Sequence, residues 1–330
     1  MNIVTALENL TVEGLEGDHD HVIETILSKL FVRGEEVHKA YKHRIADFAD
    51  LTHRETRRAY ISEDFFWNNV MAPEIYLELR HVLHDGAQYV HVENDRAEDW
   101  YIVMKRIDSE KNLLNSLEQK APKEVDLREY ARLLTDRLRM LTNEKGEELS
   151  IHISKGTAHI SSEVLGVCDW ASSSAAPHLS FDEVMRVKEL LTEALRREKY
   201  FNAPVSLSVV IDTNPDNIIF LDEGISFIDV MPPKDEWRVH DRYFPLCRTS
   251  ADVSALSHKD HAEALHHEYA KSEMLPPEIV RTVYELAAVL IQVPYRKMIG
   301  RDDLATRYAD YARTKMSDLE ALLGKLDLSE

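Results

Sequence analysis

The sequence has little of what punctuates short-stranded β folds: 10 glycines and 11 prolines in 330 residues, about half the usual combined share of roughly 12%. A sandwich of short strands is thereby disfavoured, and long helices should carry most of the chain. There are two cysteines, Cys168 and Cys247, neither in a C-x-x-C pair, which suits buried thiols in a reducing compartment better than a disulfide framework or a zinc site. No run of about 18 apolar residues occurs, and the opening residues show no basic segment followed by an apolar one. A cytoplasmic location is the expectation. Positive charge is also short: 40 lysines and arginines stand against 59 aspartates and glutamates, a net charge of -19. That excess repels phosphate backbones and anionic lipid, so neither nucleic acid nor membrane is expected as a partner.

What is present is core material, 44% hydrophobic residues, enough for one large domain or two lobes. Residues 1–16 read as a short amphipathic helix. Residues 25–42 then read as a β-hairpin around Arg33-Gly34-Glu35-Glu36, 52–71 as a helix ended by Ala72-Pro73, 77–92 as a second hairpin around His84-Asp85-Gly86, and 100–104 as a further strand. Together these make a small sheet. After Lys105-Arg106 the pattern turns helical over 110–117, 127–141 and 181–199, so the division is placed between 106 and 107, with lobes 1–106 and 107–330. Inside the second lobe, apolar runs at 206–211, 217–221 and 225–230 read as strand, loop, strand, tight turn, strand. From 252 onward the chain is helical again, with an apolar run over 279–293 and an amphipathic tail. Residues 144–178, with Ser161-Ser162 and Ser172-Ser173-Ser174, read as irregular, a lid or an insertion. The neighbouring histidines His19, His21, His266 and His267 read as solvated, and no H-E-x-x-H zinc pattern occurs.

Chemistry concentrates in Ile211-Asp212-Thr213-Asn214-Pro215-Asp216-Asn217, followed by Asp229 in Phe227-Ile228-Asp229-Val230. An aspartate at a strand end, an asparagine five residues on and an aspartate on the next hairpin supply a base and two oxygen ligands. Phosphoryl transfer uses this set: a carboxylate to take the acceptor's proton, and an amide with a second carboxylate to hold Mg2+ against nucleotide phosphates. The D-x-x-x-x-N spacing is that of a kinase catalytic loop. Plain turn chemistry also uses Asp, Asn and Pro in this way.

At these residues the sequence resembles the aminoglycoside phosphotransferase and choline-kinase type family of the protein-kinase-like superfamily. In addition, Glu24-Thr25, Ser28, Gly34, Val37, Lys39, Asp50, Thr52, Glu55, Arg57-Arg58, Asn68 and Ala72-Pro73-Glu74-Ile75-Tyr76-Leu77 resemble the amino-terminal lobe of a branch often fused to a P-loop ATPase half, a half not expected here. The resemblance implies an α+β, two-lobed protein-kinase-like fold, with a small β-rich N-lobe, a larger mainly helical C-lobe and the nucleotide between them. It implies Asp212 as catalytic base and Asn217 and Asp229 as Mg2+ ligands. It also implies Lys39 on the nucleotide phosphates, with Lys42 as the alternative, and Asp64 or Glu63 as the acidic partner of that lysine. The strand through Met104 would lead into the hinge that meets adenine. ATP and Mg2+ are the implied cofactors, and a small hydroxylated molecule, an aminosugar-like cation among the options, is the implied acceptor. Two departures stand out: Val210-Ile211 replaces the family's His-Gly before the base, and Asn214-Pro215-Asp216 replaces the usual residues before Asn217. They leave open a second reading, a catalytically weak or silent kinase-like nucleotide-binding or regulatory protein.

Overall fold

A computed structural model describes residues 2–15, 18–46, 49–119, 122–155, 157–201, 207–257 and 259–327. The chain divides into two compact units, one made of Met1–Ser109 with Ser226–Lys234, the other of Glu110–Ile225 with Asp235–Glu330. The first unit thus takes in, besides its amino-terminal stretch, a nine-residue piece from far along the sequence, the piece that carries Asp229.

The first unit is built on period-two alternation. Its elements are α1 (Ile3–Glu8), β1 (His21–Glu24), β2 (Ser28–Arg33), β3 (Glu36–Tyr41), the minor pair β4 (Ile45–Ala46) and β5 (Ala49–Asp50), α2 (Arg54–Met71), β6 (Tyr76–His84), β7 (Tyr89–His91) and β8 (Asp99–Lys105). Six strands form one antiparallel sheet in the order β1-β2-β3-β8-β6-β7. Gly34 turns β2 into β3 at φ +55°, a conformation glycine adopts without steric cost. The sequence reading missed β1, because all four of its residues are exposed and a strand with no buried face has no alternation to detect. The first helix is also shorter than expected; Met1 and Glu16, at the expected ends, lie outside the described residues.

The two sheet faces have different covers. On one, Ile3, Leu7, Phe31, Ala40, Tyr101 and Val103 join α1 to the sheet in an apolar cluster. On the other lies α2, whose buried residues Arg57, Ile61, Asp64, Asn68 and Met71 recur at three- and four-residue intervals, the spacing of one helix face. Three polar residues, Arg57, Asp64 and Asn68, therefore sit inside the stripe that meets the sheet.

The second unit is mainly helical. It contains α3 (Leu113–Glu118), α4 (Glu124–Lys145), α5 (Ser150–Ile153), α6 (Thr157–Ser174), α7 (Phe181–Leu195), α8 (Glu198–Phe201), β9 (Leu207–Val209), β10 (Ile218–Leu221), the start of β11 (Gly224–Phe227), β12 (Val239–Asp241), α9 (Phe244–Leu256), α10 (Lys259–Tyr269), α11 (Glu278–Met298) and α12 (Asp302–Asp327). Strand β9 pairs antiparallel with β12, Val209 opposite Val239; residue 206, expected to start this strand, lies outside the described residues. A capping box, Ser180 with Glu183, starts α7, and the helix stops at Leu195 rather than continuing to 199.

The expectation of an irregular 144–178 is corrected: most of it is α6. Ile160, Val164, Cys168, Ala171 and Ala175 are buried at helical spacing, and α6 packs on α7 and α11. Serine hydroxyls near its end return to its own backbone, Ser172 Oγ donating to Asp169 O at 2.8 Å and Ser173 Oγ to Trp170 O at 2.9 Å, so they interrupt the apolar pattern without breaking the helix.

The helical core also contains charge. Glu285 on α11 is fully buried and accepts from Arg281 Nε at 2.9 Å, Ser250 Oγ at 2.6 Å, Tyr311 OH at 3.2 Å and Lys315 Nζ at 2.7 Å. His266 joins this network, 2.7 Å from Ser250 Oγ and 2.8 Å from the Tyr243 hydroxyl. It is buried, not solvated as its sequence context suggested, and burial lowers its pKa.

Candidate active site

In the first unit, strand β3 and helix α2 bring a lysine against an aspartate. Val37, Lys39 and Tyr41 share the strand face toward α2, and Lys39 is 5% exposed. Its ammonium donates to Asp64 Oδ2 at 3.0 Å and to Asp229 Oδ1 at 3.0 Å. Burial by itself would depress the Lys39 pKa, but Asp229 and Asp64 outweigh it and hold the lysine well above its ordinary range, so it is a cation. Lys42 instead bonds Glu24 at 2.9 Å. Of the two acidic neighbours on α2, Asp64 is the one paired with Lys39, while Glu63 Oε2 accepts from Trp67 Nε1 at 3.1 Å. The helix turn of 100° between adjacent residues separates them: 64 lies on the Ile61–Asn68 stripe and 63 does not.

The segment carrying Asp229 is pinned at several points. Asn68 Nδ2 donates to Asp64 Oδ1 at 2.9 Å, and Asn68 Oδ1 accepts the Val230 N–H at 3.0 Å. The Tyr76 hydroxyl accepts the Asp229 N–H at 3.0 Å, and the Ser226 hydroxyl donates to Glu74. Asn68, Glu74 and Tyr76 all belong to the block that carried the resemblance, so its residues have a common local task. Asp229 itself has φ +51°, a left-handed backbone that costs a non-glycine residue on the order of 1 kcal/mol or more and persists only where surroundings enforce it. Its side chain is 68% exposed, with the Lys39 charge holding the carboxyl below its ordinary range. An ionised, exposed carboxylate is a hard ligand of the kind Mg2+ takes. Met104, near the end of β8, is buried and paired with Val37 on one side and Tyr76 on the other.

In the second unit, β9 delivers Asp212. Val210 and Ile211 are core residues, 3% and 2% exposed, and the Val210 N–H donates to Arg238 O at 2.8 Å. Asp212 Oδ1 accepts the Asn214 N–H at 3.2 Å, and a 3-10 turn over Pro215–Asn217 leads into β10. Asn217 is half-buried and its N–H bonds Asn214 O at 2.8 Å. Arg296 holds this loop. It is fully buried and donates to Asp216 Oδ2 at 2.6 Å, Asn214 Oδ1 at 2.8 Å and Gln292 Oε1 at 3.1 Å. Arg296 reaches the loop because α11 continues past Pro294 to Met298, beyond the apolar run that ended at 293 in the sequence reading.

Arg248 was not foreseen either. It lies on α9 and its Nη2 is 2.8 Å from Asp212 Oδ1. Among the described residues no group of three or more His, Cys, Asp and Glu side chains is placed to hold a metal ion, and both cysteines are buried and free, with burial pushing Cys168 up to about 12.

No protein-family profile matches the chain, and no curated protein is significantly similar to it. Among solved structures, the GDP complex of wild-type aminoglycoside 2'-phosphotransferase-IIIa shares 10% identity over 96% of this chain and 97% of that one, with a TM-score of 0.53. The GDP and kanamycin complex of APH(2")-IIIa gives 9% identity, 96% and 98% coverage and a TM-score of 0.52. A thermostable mutant of aminoglycoside phosphotransferase APH(4)-Ia, in ternary complex with AMP-PNP and hygromycin B, gives 11% identity, 95% and 98% coverage and a TM-score of 0.50. With its antiparallel-sheet unit and its helical unit matched along nearly the whole chain, this protein has the α+β, two-lobed, protein-kinase-like fold of the aminoglycoside phosphotransferases.

Proposed function

We propose that the protein is a nucleotide- and Mg2+-dependent phosphotransferase acting on a hydroxyl of a small molecule. Asp212 accepts the acceptor's proton, Lys39 binds nucleotide phosphate oxygens with Asp64 fixing its position, Asn217 and Asp229 are the metal ligands, and the β8 strand through Met104 leads to the adenine-binding backbone. In the transfer, the acceptor oxygen forms a bond to the γ-phosphorus as its bond to the β-γ bridging oxygen breaks, the nucleoside diphosphate leaves and the hydroxyl proton passes to Asp212. Mg2+, when bound, offsets the phosphate charge. The observation that most supports this reading is the triad of Lys39, Asp64 and Asp229, three residues from distant sequence positions meeting at 3.0 Å contacts, with Asp229 held in a backbone conformation it would not choose alone.

The test is the thermal midpoint of the full chain with and without ATP plus Mg2+ and GTP plus Mg2+. A ligand bound only by the folded state at a hundredfold excess over Kd adds about 2.7 kcal/mol, a rise of a few degrees. Asp229→Ala should lose that rise. Asp212→Asn should keep it while turnover falls by roughly 10²–10⁴-fold, the usual worth of a general base. No rise with either nucleotide, on folded protein, overturns the reading. A rise without turnover of any hydroxyl acceptor favours a nucleotide-binding regulatory protein, the role suggested by Val210-Ile211 where the family has His-Gly.

A further inference from the structure

Arg248 lies against the group assigned above as the base. Its side chain is only 14% exposed, and its one ion-pair partner among the described residues is Asp212, whose side chain is 35% exposed. Its remaining guanidinium N–H groups have no hydrogen-bond partner among the described residues, yet they are not sealed from solvent. The other arginine at this loop, Arg296, differs in every respect: it is fully buried, and its donors are taken by Asp216, Asn214 and Gln292. Arg296 is consumed by the fold, whereas Arg248 presents a fixed positive charge with donors to spare beside the proposed proton acceptor. One helix turn further along α9, Asp252 Oδ1 accepts from the Tyr308 hydroxyl at 2.7 Å, and its Oδ2 makes no hydrogen bond among the described residues, so Asp252 does not occupy Arg248.

A planar guanidinium with free donors suits an oxyanion, which it engages through paired N–H groups. The same charge repels an ammonium group placed next to the reacting hydroxyl. We infer that Arg248 is a specificity-determining residue and that the acceptor is a small hydroxylated anion, carrying a carboxylate or phosphate close to the reacting hydroxyl, rather than an amine. This inference rests on Asp212 being the base. It sets this chain apart from the solved structures above that contain kanamycin and hygromycin B, and it does not follow from the acidic composition, which by itself would favour cations.

The experiment compares matched acceptors that differ in charge: D-glycerate and glycerol 3-phosphate as the carboxylate and phosphate arms, glycerol as the neutral one and 2-amino-1,3-propanediol as the cationic one. A second set comprises D-galacturonate, D-galactose 6-phosphate, D-galactose and D-galactosamine. Turnover with ATP and Mg2+ is measured on the full chain and on Arg248→Lys and Arg248→Met, each first shown to keep its thermal midpoint rise with nucleotide. The expected result is a preference of at least tenfold in kcat/KM for an anionic member, its arm identifying carboxylate or phosphate. In Arg248→Met that preference should collapse, the anionic member losing at least tenfold more than the neutral one through a rise in KM, and Arg248→Lys should keep part of it. A preference for the neutral or cationic member overturns the inference. So does an equal loss for all acceptors in Arg248→Met, which would make Arg248 a positioning residue for Asp212 only. Nucleotide-responsive protein that phosphorylates no anion in either set also overturns it while leaving the phosphotransferase reading in place, whereas absence of any nucleotide response overturns that reading first.

Discussion

Asp252 shows what a single carboxyl can do to this protein's stability. Burial pushes its pKa up to about 7, because one oxygen has only the Tyr308 hydroxyl and the other has no hydrogen-bond partner among the described residues. An unfolded aspartate titrates near 3.9. Between about pH 4 and pH 7 the folded state therefore holds a proton the unfolded state has released, so stability falls as pH rises through that window and the full cost is present above it. Asp252→Asn removes the titration and keeps an acceptor for Tyr308. Urea unfolding should show the variant gaining on the parent between pH 5 and pH 8, by at most about 3 kcal/mol at 1.36 kcal/mol per unit; an unchanged difference at the two pH values would refute this. The same scale shows what spacing can convey. The resemblance offered Lys39 with Lys42 as the alternative; Lys39 bonds Asp64 and Asp229 while Lys42 bonds Glu24, and Asp64 and Glu63 remained alternatives because their separation depends on which helix face meets the sheet.

At the scale of elements, α6 marks where composition misleads. Serine clusters made 144–178 read as irregular, a lid or an insertion, yet every third or fourth residue from Ile160 to Ala175 is buried. Val164→Asp would bury an unpaired charge against α7 and α11 and should cost several kcal/mol, on the order of 3 or more. Ser173→Ala, on the exposed side, should stay within about 0.5 kcal/mol. Denaturant midpoints of the two variants check the face assignment; comparable effects would mean that the helix is placed the wrong way round. Helix α2 is the converse. Its limits were read to within two residues because Ala72-Pro73 stops it and its stripe is regular, and the polar residues inside that stripe, Asp64 and Asn68, are those that hold Lys39 and the Asp229 segment.

For the whole molecule, the net charge of -19 is the leading electrostatic fact. Like charges repel within a folded chain, and salt shortens their reach from about 30 Å at 0.01 M to about 10 Å at 0.1 M. Many ion pairs here are exposed, such as Lys111 with Asp222 and Arg186 with Glu320, and exposed pairs contribute little individually. The thermal midpoint should therefore rise when NaCl is raised across that range; a fall would show that the surface pairs outweigh the net repulsion. Among the described residues no helix is long and apolar enough to cross a membrane.

The sequence by itself determined the order of most elements, the β-rich beginning and helical remainder, and the identity of the polar positions at strand ends and on α2, because alternation, helical stripes and turn residues are local signals. Only the tertiary structure decided which side chains meet. Arg248 comes to Asp212 and Arg296 to Asn214 and Asp216 across 36 to 82 residues of intervening chain, and Asp229 joins Lys39 across 190. No periodicity encodes such pairings. They follow from how helices and sheet pack, and from the requirement that a buried charge find a partner.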